Sequence, residues 1–204
     1  MTVKLVLASG SPSRARLLQS VGINPKIVVS DVNEEDDQFA KLSPGELVIA
    51  LAILKAHTVA KTIDFPALVL GCDSTFEFEG KSLGKPETRD KAIARAKQLS
   101  GKSGILHTGH CLIDTKQQIE LSERSSAKVN FAKMSDEEIE DYVNTGEPLK
   151  VAGGFTLDGN SAPFINSIEG DPSGIIGLSL PLLRRMILKL GYQWTEIKSA
   201  NSNG

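Results

Sequence analysis

The sequence predicts an α/β fold built on a mixed β-sheet. Short apolar runs alternate along the chain with stretches that carry helix-start signals. Several strand-like runs follow one another between Pro66 and Phe131, which a purely parallel sheet does not permit. The 204 residues are 40% hydrophobic and 24% charged, the balance of a globular chain large enough for one domain or two small lobes.

The elements follow in order. Val3 to Ala8 is an apolar run and reads as a buried strand. Ser11-Pro12 is a helix cap followed by proline at the first helical position, and the helix should reach Val21-Gly22. Lys26 to Val29 reads as a second strand, and the acidic stretch Asp31 to Gln38 as a loop. Ser43-Pro44-Gly45-Glu46 has capping-box spacing and opens a helix to Lys61. Pro66 to Asp73 is a buried strand. Thr75 to Glu79 alternates into a hairpin turn at Glu79-Gly80-Lys81. A helix spans Thr88 to Leu99, and two long strands span Gly104 to Asp114 and Ile119 to Phe131. A second capping box, Ser135 to Glu138, opens a helix that stops at Gly146. Lys150 to Leu157 and Pro163 to Ile168 are strand-like around a Gly159-Asn160 turn. Asp171-Pro172-Ser173 precedes a last helix to Leu190, a short strand near Trp194 to Ile197 closes the chain, and Ser199 to Gly204 is expected to be disordered.

Composition removes several functions. Lys plus Arg number 23 and Asp plus Glu 25, a net charge of −2, which disfavours bulk binding to nucleic acid or to an anionic membrane. Aromatic residues, at 5%, are too few for a base-stacking platform. No run is long enough to span a membrane, and neither number nor spacing of Cys72 and Cys111 suggests a disulfide framework or a zinc site. A cytoplasmic protein without a signal peptide or anchor is the expectation.

Four places can carry chemistry. In Ser9 to Arg16 a strand feeds a small-residue loop that opens a helix. Ser9, Ser11 and Arg14 either complete an anion pocket at the helix start or belong to a capped helix with an exposed arginine. It is not a Walker loop, because the Gly-Lys-Ser/Thr ending is absent. Lys55 shares a helical face with Val48, Ala52 and Val59, so it either snorkels outward or meets a buried anion. Asp73 ends an apolar run at the carboxyl end of a strand, where α/β folds bind ligands, or caps the following turn. Glu34 and Glu35 offer further carboxylates, and such hard oxygen ligands suit Mg²⁺ or Mn²⁺. Lys85 is held between Gly84 and Pro86, either aimed at a site or on a surface turn. His57, His107 and His110 are weaker candidates, and Cys72 reads as a small buried residue. Together, a helix-start anion site, isolated lysines and strand-end carboxylates are what phosphate-ester chemistry with a metal requires.

These motifs, in this order, resemble the Maf (septum-formation-like) family of nucleoside triphosphate pyrophosphatases. Ser9-Gly10-Ser11-Pro12-Ser13-Arg14 is similar to the family's Ser-x-Ser-Pro-Arg-Arg opening. Asn33-Glu34, Lys55-Ala56, Gly71-Cys72-Asp73-Ser74 and Leu83-Gly84-Lys85-Pro86 fall where the family has Asp-Glu, its helical lysine, Ala-Asp-Thr and Gly-Lys-Pro. Thr108-Gly109, Gly146-Glu147-Pro148, Ala152-Gly153 and Ile176-Gly177-Leu178 also match. The resemblance implies an ITPase-like (Maf/Ham1-type) elongated mixed sheet flanked by helices, with two lobes and a cleft, as a single domain over residues 1–198 and often as a homodimer. It implies hydrolysis of a nucleoside triphosphate to the monophosphate and pyrophosphate with a divalent cation (Mg²⁺, Mn²⁺ or Co²⁺). It implies Asp73 as proton acceptor, Glu34 as assistant to metal or water, Asp73 and Glu34 as metal ligands, and Ser9, Ser11, Arg14, Lys55 and Lys85 around the triphosphate. The departures are Ser13 for the first arginine, Ser74 for threonine, Lys150-Val151 for Asp-Lys, and Leu157-Asp158-Gly159 for Ile-Gln-Gly. Ser13, Ser74 and Asp158 fall at positions associated with base selection. An ITP/XTP-type pyrophosphatase and a nucleotide-binding regulator of cell division without turnover are the rival readings.

Overall fold

The computed structural model describes residues 3–34 and 36–201. In chain order its elements are β1 (Lys4–Ala8), α1 (Pro12–Ser20), β2 (Lys26–Ile27), α2 (Pro44–Ala60), β3 (Ala67–Phe78), β4 (Lys81–Leu83), α3 (Arg89–Leu99), β5 (Ser103–Asp114), β6 (Ile119–Phe131), α4 (Asp136–Asn144), β7 (Ile165–Glu169), α5 (Pro172–Ile176), α6 (Leu180–Lys189) and α7 (Trp194–Asn201). Among the described residues the strands make one sheet in the order β2-β1-β3-β5-β6-β7, with β4 added to β3. β1 runs parallel to β2 and β3, and the other pairs are antiparallel. The connections dictate this: α1 and α2 supply the crossovers that parallel strands need, while β3–β4 and β5–β6 are hairpins. The mixed sheet flanked by helices is the predicted fold class. The β3–β4 turn falls at Glu79-Gly80 with both φ angles positive, 49° and 75°, as a two-residue hairpin demands.

β3 organises the molecule. One edge pairs with β5 from Leu68 to Glu77. The other pairs with β1 from Ala67 to Gly71 and with β4 from Phe76 to Phe78. Between them, Cys72 to Thr75 have no strand on that edge, so the sheet opens there. β1 is buried on both faces, which is why it reads as a continuous apolar run. On one face Leu5, Leu7, Leu68 and Leu70 pack with Leu18, Leu183 and Ile187. Farther along that face Phe76, Phe131 and Phe155 meet edge to face, with centroids 5.0–5.8 Å apart. α2 crosses the opposite face. A Cβ at Gly71 would lie 2.2 Å from the Ala52 carbonyl oxygen, and one at Gly109 would lie 2.1 Å from that of Val48. Those two glycines let the helix lie directly on the sheet.

Several expected elements differ. β3 does not stop at Asp73 but runs unbroken to Phe78, because β5 pairs with it throughout. β2 is confined to Lys26–Ile27. Lys150 to Leu157 is not a strand: 3₁₀ turns cover Glu147–Lys150 and Ala152–Gly154, where Gly153 and Gly154 take φ of 73° and 75°, and Phe155 to Leu157 follow without regular structure. Its partner strand begins only at Ile165. The last long helix is broken into α5 and α6 by Gly177, at φ 122°, and restarts at the Ser179 cap. Trp194 to Ile197 is the first part of α7, not a strand. The Glu196 carboxylate accepts from the Gln193 amide at 2.8 Å, and Ile197 is buried against the β1 core. The predicted tail is helical as far as Asn201, which is buried and accepts the Leu5 amide at 3.0 Å. Residues 202–204, the remainder of that prediction, lie outside the described residues, as does Glu35.

Candidate active site

α2 delivers the first functional side chain. Ser43 and Glu46 form the expected capping box, and Val48, Ala52, Lys55 and Val59 are all buried on the sheet side. Lys55 therefore does not snorkel. It is 6% exposed, and its Nζ lies 2.6 Å from Asp73 Oδ1 and 2.8 Å from Glu34 Oε1. Asp73 stands on β3 where the edge is open and shares its face with Gly71, so its carboxylate meets α2. Burial raises its pKa above the usual carboxylate range, with the Lys55 and Arg14 charges pulling the other way. A buried carboxylate held by one ammonium is a stronger base than a free one and stays aimed.

Arg14 completes the opposite side. It is buried, and its guanidinium is fully directed: Nε donates to the Gly177 carbonyl at 2.8 Å, Nη1 to Ser9 Oγ at 2.9 Å and Nη2 to Ser74 Oγ at 3.1 Å. Thr108 donates its hydroxyl to the Gly174 carbonyl at 2.8 Å, so Ser74 must donate to Thr108, also at 2.8 Å. The polarity runs one way, from Arg14 through Ser74 and Thr108 to the backbone of α5. The exposed-arginine alternative is thereby removed. Ser11 occupies the cap position of α1 but its side chain makes no cap hydrogen bond; its amide donates to Ser9 Oγ at 3.2 Å.

The other predicted residues divide. Lys85 is exposed beyond β4 and makes no hydrogen bond or ion pair among the described residues, so no contact joins it to Lys55 or Asp73. Ser13 and Asp158 come together through a residue that sequence reasoning missed: Arg16 Nη2 lies 3.1 Å from Ser13 Oγ and 3.8 Å from Asp158 Oδ2. Thr108 and Gly177 were visible only as motif matches without a role, and nothing in the sequence singles out Arg16. His107 bridges Glu77 and Ser126 at 2.8 Å each. His110 is locked as a neutral acceptor for the Ser179 amide at 2.8 Å, and burial lowers its pKa to about 4. A groove of about 590 Å³ at the far end of α2, walled by Phe65, Ile119 and the weaker candidate His57, contains none of Ser9, Ser11, Arg14, Glu34, Lys55, Asp73 and Lys85.

The carboxylates suit a divalent cation. Glu34 and Asp73 already converge on one positively charged nitrogen. No group of three or more His, Cys, Asp and Glu side chains converges among the described residues. The protein thus offers two hard oxygen donors, and a hexacoordinate ion would take its other ligands from substrate and water.

A mixed α/β sheet whose open edge gathers a buried Asp–Lys pair and a directed arginine makes a candidate site for a charged ligand at a strand-order break. The family model described as "Maf-like protein" matches residues 4–190, and the chain belongs to that family. It is 49% identical over 195 residues to a nucleoside triphosphate pyrophosphatase of Streptomyces coelicolor, covering 95% of this chain and 94% of that one. It is 49% identical over 197 residues to one from Thermosynechococcus vestitus, covering 97% and 98%, and 50% identical over 190 residues to one from a Cyanothece species, covering 93% and 96%. A solved nucleoside-triphosphatase / dITP/XTP pyrophosphatase from Mycobacterium abscessus aligns with TM-score 0.39 and 12% identity over 92% of this chain and 94% of that one, too loosely to add weight. Among the described residues no helix is long and apolar enough to cross a membrane.

Proposed function

We propose that this protein hydrolyses nucleoside triphosphates to the nucleoside monophosphate and pyrophosphate, with Asp73 as the proton acceptor. The observation that carries the proposal is the buried Asp73 carboxylate at the open edge of β3, held 2.6 Å from Lys55 Nζ. Relatives named nucleoside triphosphate pyrophosphatase, similar over nearly their whole length, support the reaction type.

The triphosphate oxygens are neutralised by Lys55, with Lys85 free to swing in from the exposed segment after β4. Ser9 and Arg14 shape the wall beside them. Asp73 takes the proton of a water as its oxygen attacks phosphorus. The anhydride between the α and β phosphates breaks, and pyrophosphate leaves with the bond's electron pair. Asp73 and Glu34 are the residues that would hold a divalent cation, in keeping with the metal dependence general to this family. When bound, Mg²⁺, Mn²⁺ or Co²⁺ supplies charge neutralisation at the phosphate oxygens. Lys55 then keeps Asp73 ionised, while burial keeps it basic. A nucleotide binder without turnover would have no use for a buried base with raised proton affinity.

The test is pyrophosphate release from a panel of standard and modified nucleoside triphosphates with each cation. Release from one or a few bases, abolished by Asp73→Asn, is expected. No release from any nucleotide would overturn the pyrophosphatase reading in favour of the non-hydrolysing regulator, and release from ITP or XTP alone would favour the house-cleaning alternative.

A further inference from the structure

Arg14 is 8% exposed and forms no ion pair with a carboxylate among the described residues. A guanidinium buried without a counter-charge is costly unless an anion arrives to meet it. Its contacts with Gly177, Ser9 and Ser74 use one N–H on each of Nε, Nη1 and Nη2. One N–H on each Nη is left over for an anion. Where those two donors point depends on the plane of the guanidinium, and so on whatever fixes that plane.

One hydroxyl joins two of its supports. Thr108 Oγ1 accepts from Ser74 at 2.8 Å and donates to the Gly174 carbonyl at 2.8 Å. With its proton committed to Thr108, Ser74 turns a lone pair to Arg14 Nη2. Serine has no β-methyl group to restrict it, so this bond sets its rotamer. At the other end, α5 has five residues and cannot hold its own position. β5 grips it and the turn beyond it at two points: Thr108 binds the Gly174 carbonyl, and His110 accepts the Ser179 amide at 2.8 Å. Between them lies Gly177, whose carbonyl takes the Arg14 Nε proton; a Cβ there would lie 3.4 Å from Nε and 3.7 Å from Ser74 Oγ. Thr108 is 0% exposed on a β-strand, where valine would fill the same space without burying a hydroxyl. What threonine adds is that hydroxyl, and among the described residues it bonds only to Ser74 and Gly174.

We infer that Thr108 is a positioning residue for triphosphate binding: its hydroxyl fixes Ser74 and the α5–α6 turn, and these aim the free donors of Arg14 at the phosphate oxygens. This rests on the pyrophosphatase reading and deepens it. Thr108 acts through Arg14 and is not catalytic.

The experiment measures, on the full-length protein, kcat and KM for the preferred nucleoside triphosphate and the affinity for inorganic tripolyphosphate. Thr108→Val keeps the shape and removes the hydroxyl. It should raise KM and the tripolyphosphate Kd roughly tenfold, the scale of one hydrogen bond to a charged group, with kcat nearly unchanged. Thr108→Ser, which returns the hydroxyl, should restore both. In an Arg14→Met background no guanidinium remains to be aimed, so Thr108→Val should weaken tripolyphosphate binding no further. A purely structural role gives the opposite pattern, with kcat lowered through lost active protein, KM unchanged and the same loss with or without Arg14. That pattern overturns the inference. If Thr108→Val does not fold, Ser74→Ala cuts the same chain at a half-buried position. Weaker tripolyphosphate binding there supports the inference, and unchanged binding overturns it. A wild type that binds no tripolyphosphate overturns this inference alone if pyrophosphate is still released from a nucleotide, and together with the pyrophosphatase reading if it is not.

Discussion

Replacing Lys55 with methionine removes the ammonium but keeps much of the side-chain volume, and leaves Asp73 buried without its nearest cation. Breaking a buried pair from one side typically costs about 3–5 kcal/mol. At about 2–4 °C per kcal/mol for a chain of this size, Tm should fall by roughly 6–20 °C near neutral pH. The loss should depend on pH. Asp73 already has its pKa raised, chiefly by burial, against the pull of Lys55 and Arg14. Without Lys55 the folded pKa rises further. The folded state then binds more protons than the unfolded state, so the penalty is full above the folded pKa and fades as pH falls through it. Thermal melts of wild type and Lys55→Met should therefore differ most at neutral and alkaline pH and converge as the solution is acidified through the raised folded pKa of Asp73. Lys55→Met/Asp73→Asn, which removes both charges, should regain most of the loss. A gap independent of pH, or a double variant no better than the single, would refute the assignment of Lys55 as the counter-ion that keeps Asp73 ionised.

Other consequences follow from packing and protonation. Gly71→Ala and Gly109→Ala push α2 off the sheet; each should cost about 1–3 kcal/mol in denaturant melts and lower turnover by displacing Lys55. His110 titrates at about 4 in the fold against 6.5 when free, so stability should fall by up to about 3 kcal/mol as pH drops through that window. His110→Gln should flatten that slope, and an unchanged slope would place the acid sensitivity elsewhere. Burial pushes the Cys72 thiol up to about 12 and that of Cys111 higher still, so neither should react with a thiol reagent at neutral pH until the protein unfolds. Rapid labelling of the native protein would contradict their burial.

Lys55 and Asp73 were legible in the sequence because their signals are local. A lysine on the apolar face of a capped helix and an acid at the end of an apolar run are each visible within a few residues. The unbroken course of β3 past Asp73 was not, because β5 decides it from far along the chain. Arg14 was found as a residue but not as a clamp: its Gly177 partner lies 163 positions away. The break between α5 and α6 hinged on whether one glycine would take a positive φ. The Trp194 to Ile197 segment looked extended because Thr195 and Ile197 are β-branched, while the core contact of Ile197 and the Glu196 bond favour helix. Arg16 drew no role, and Glu147 stood only as a motif match, because their contacts with Asp158 and Asn160 join segments that no spacing records.

The central claim is that Asp73 accepts the proton of the attacking water. The most direct measurement is single-turnover pyrophosphate release from the preferred nucleotide by wild type and Asp73→Asn, with nucleotide affinity measured on both. Asparagine keeps the shape and an oxygen for Lys55 but cannot take the proton. The account predicts release slower by about 10²–10⁴-fold with binding largely retained. Release at the wild-type rate would show that the base is another group and that the Lys55–Asp73 pair serves only to hold the fold.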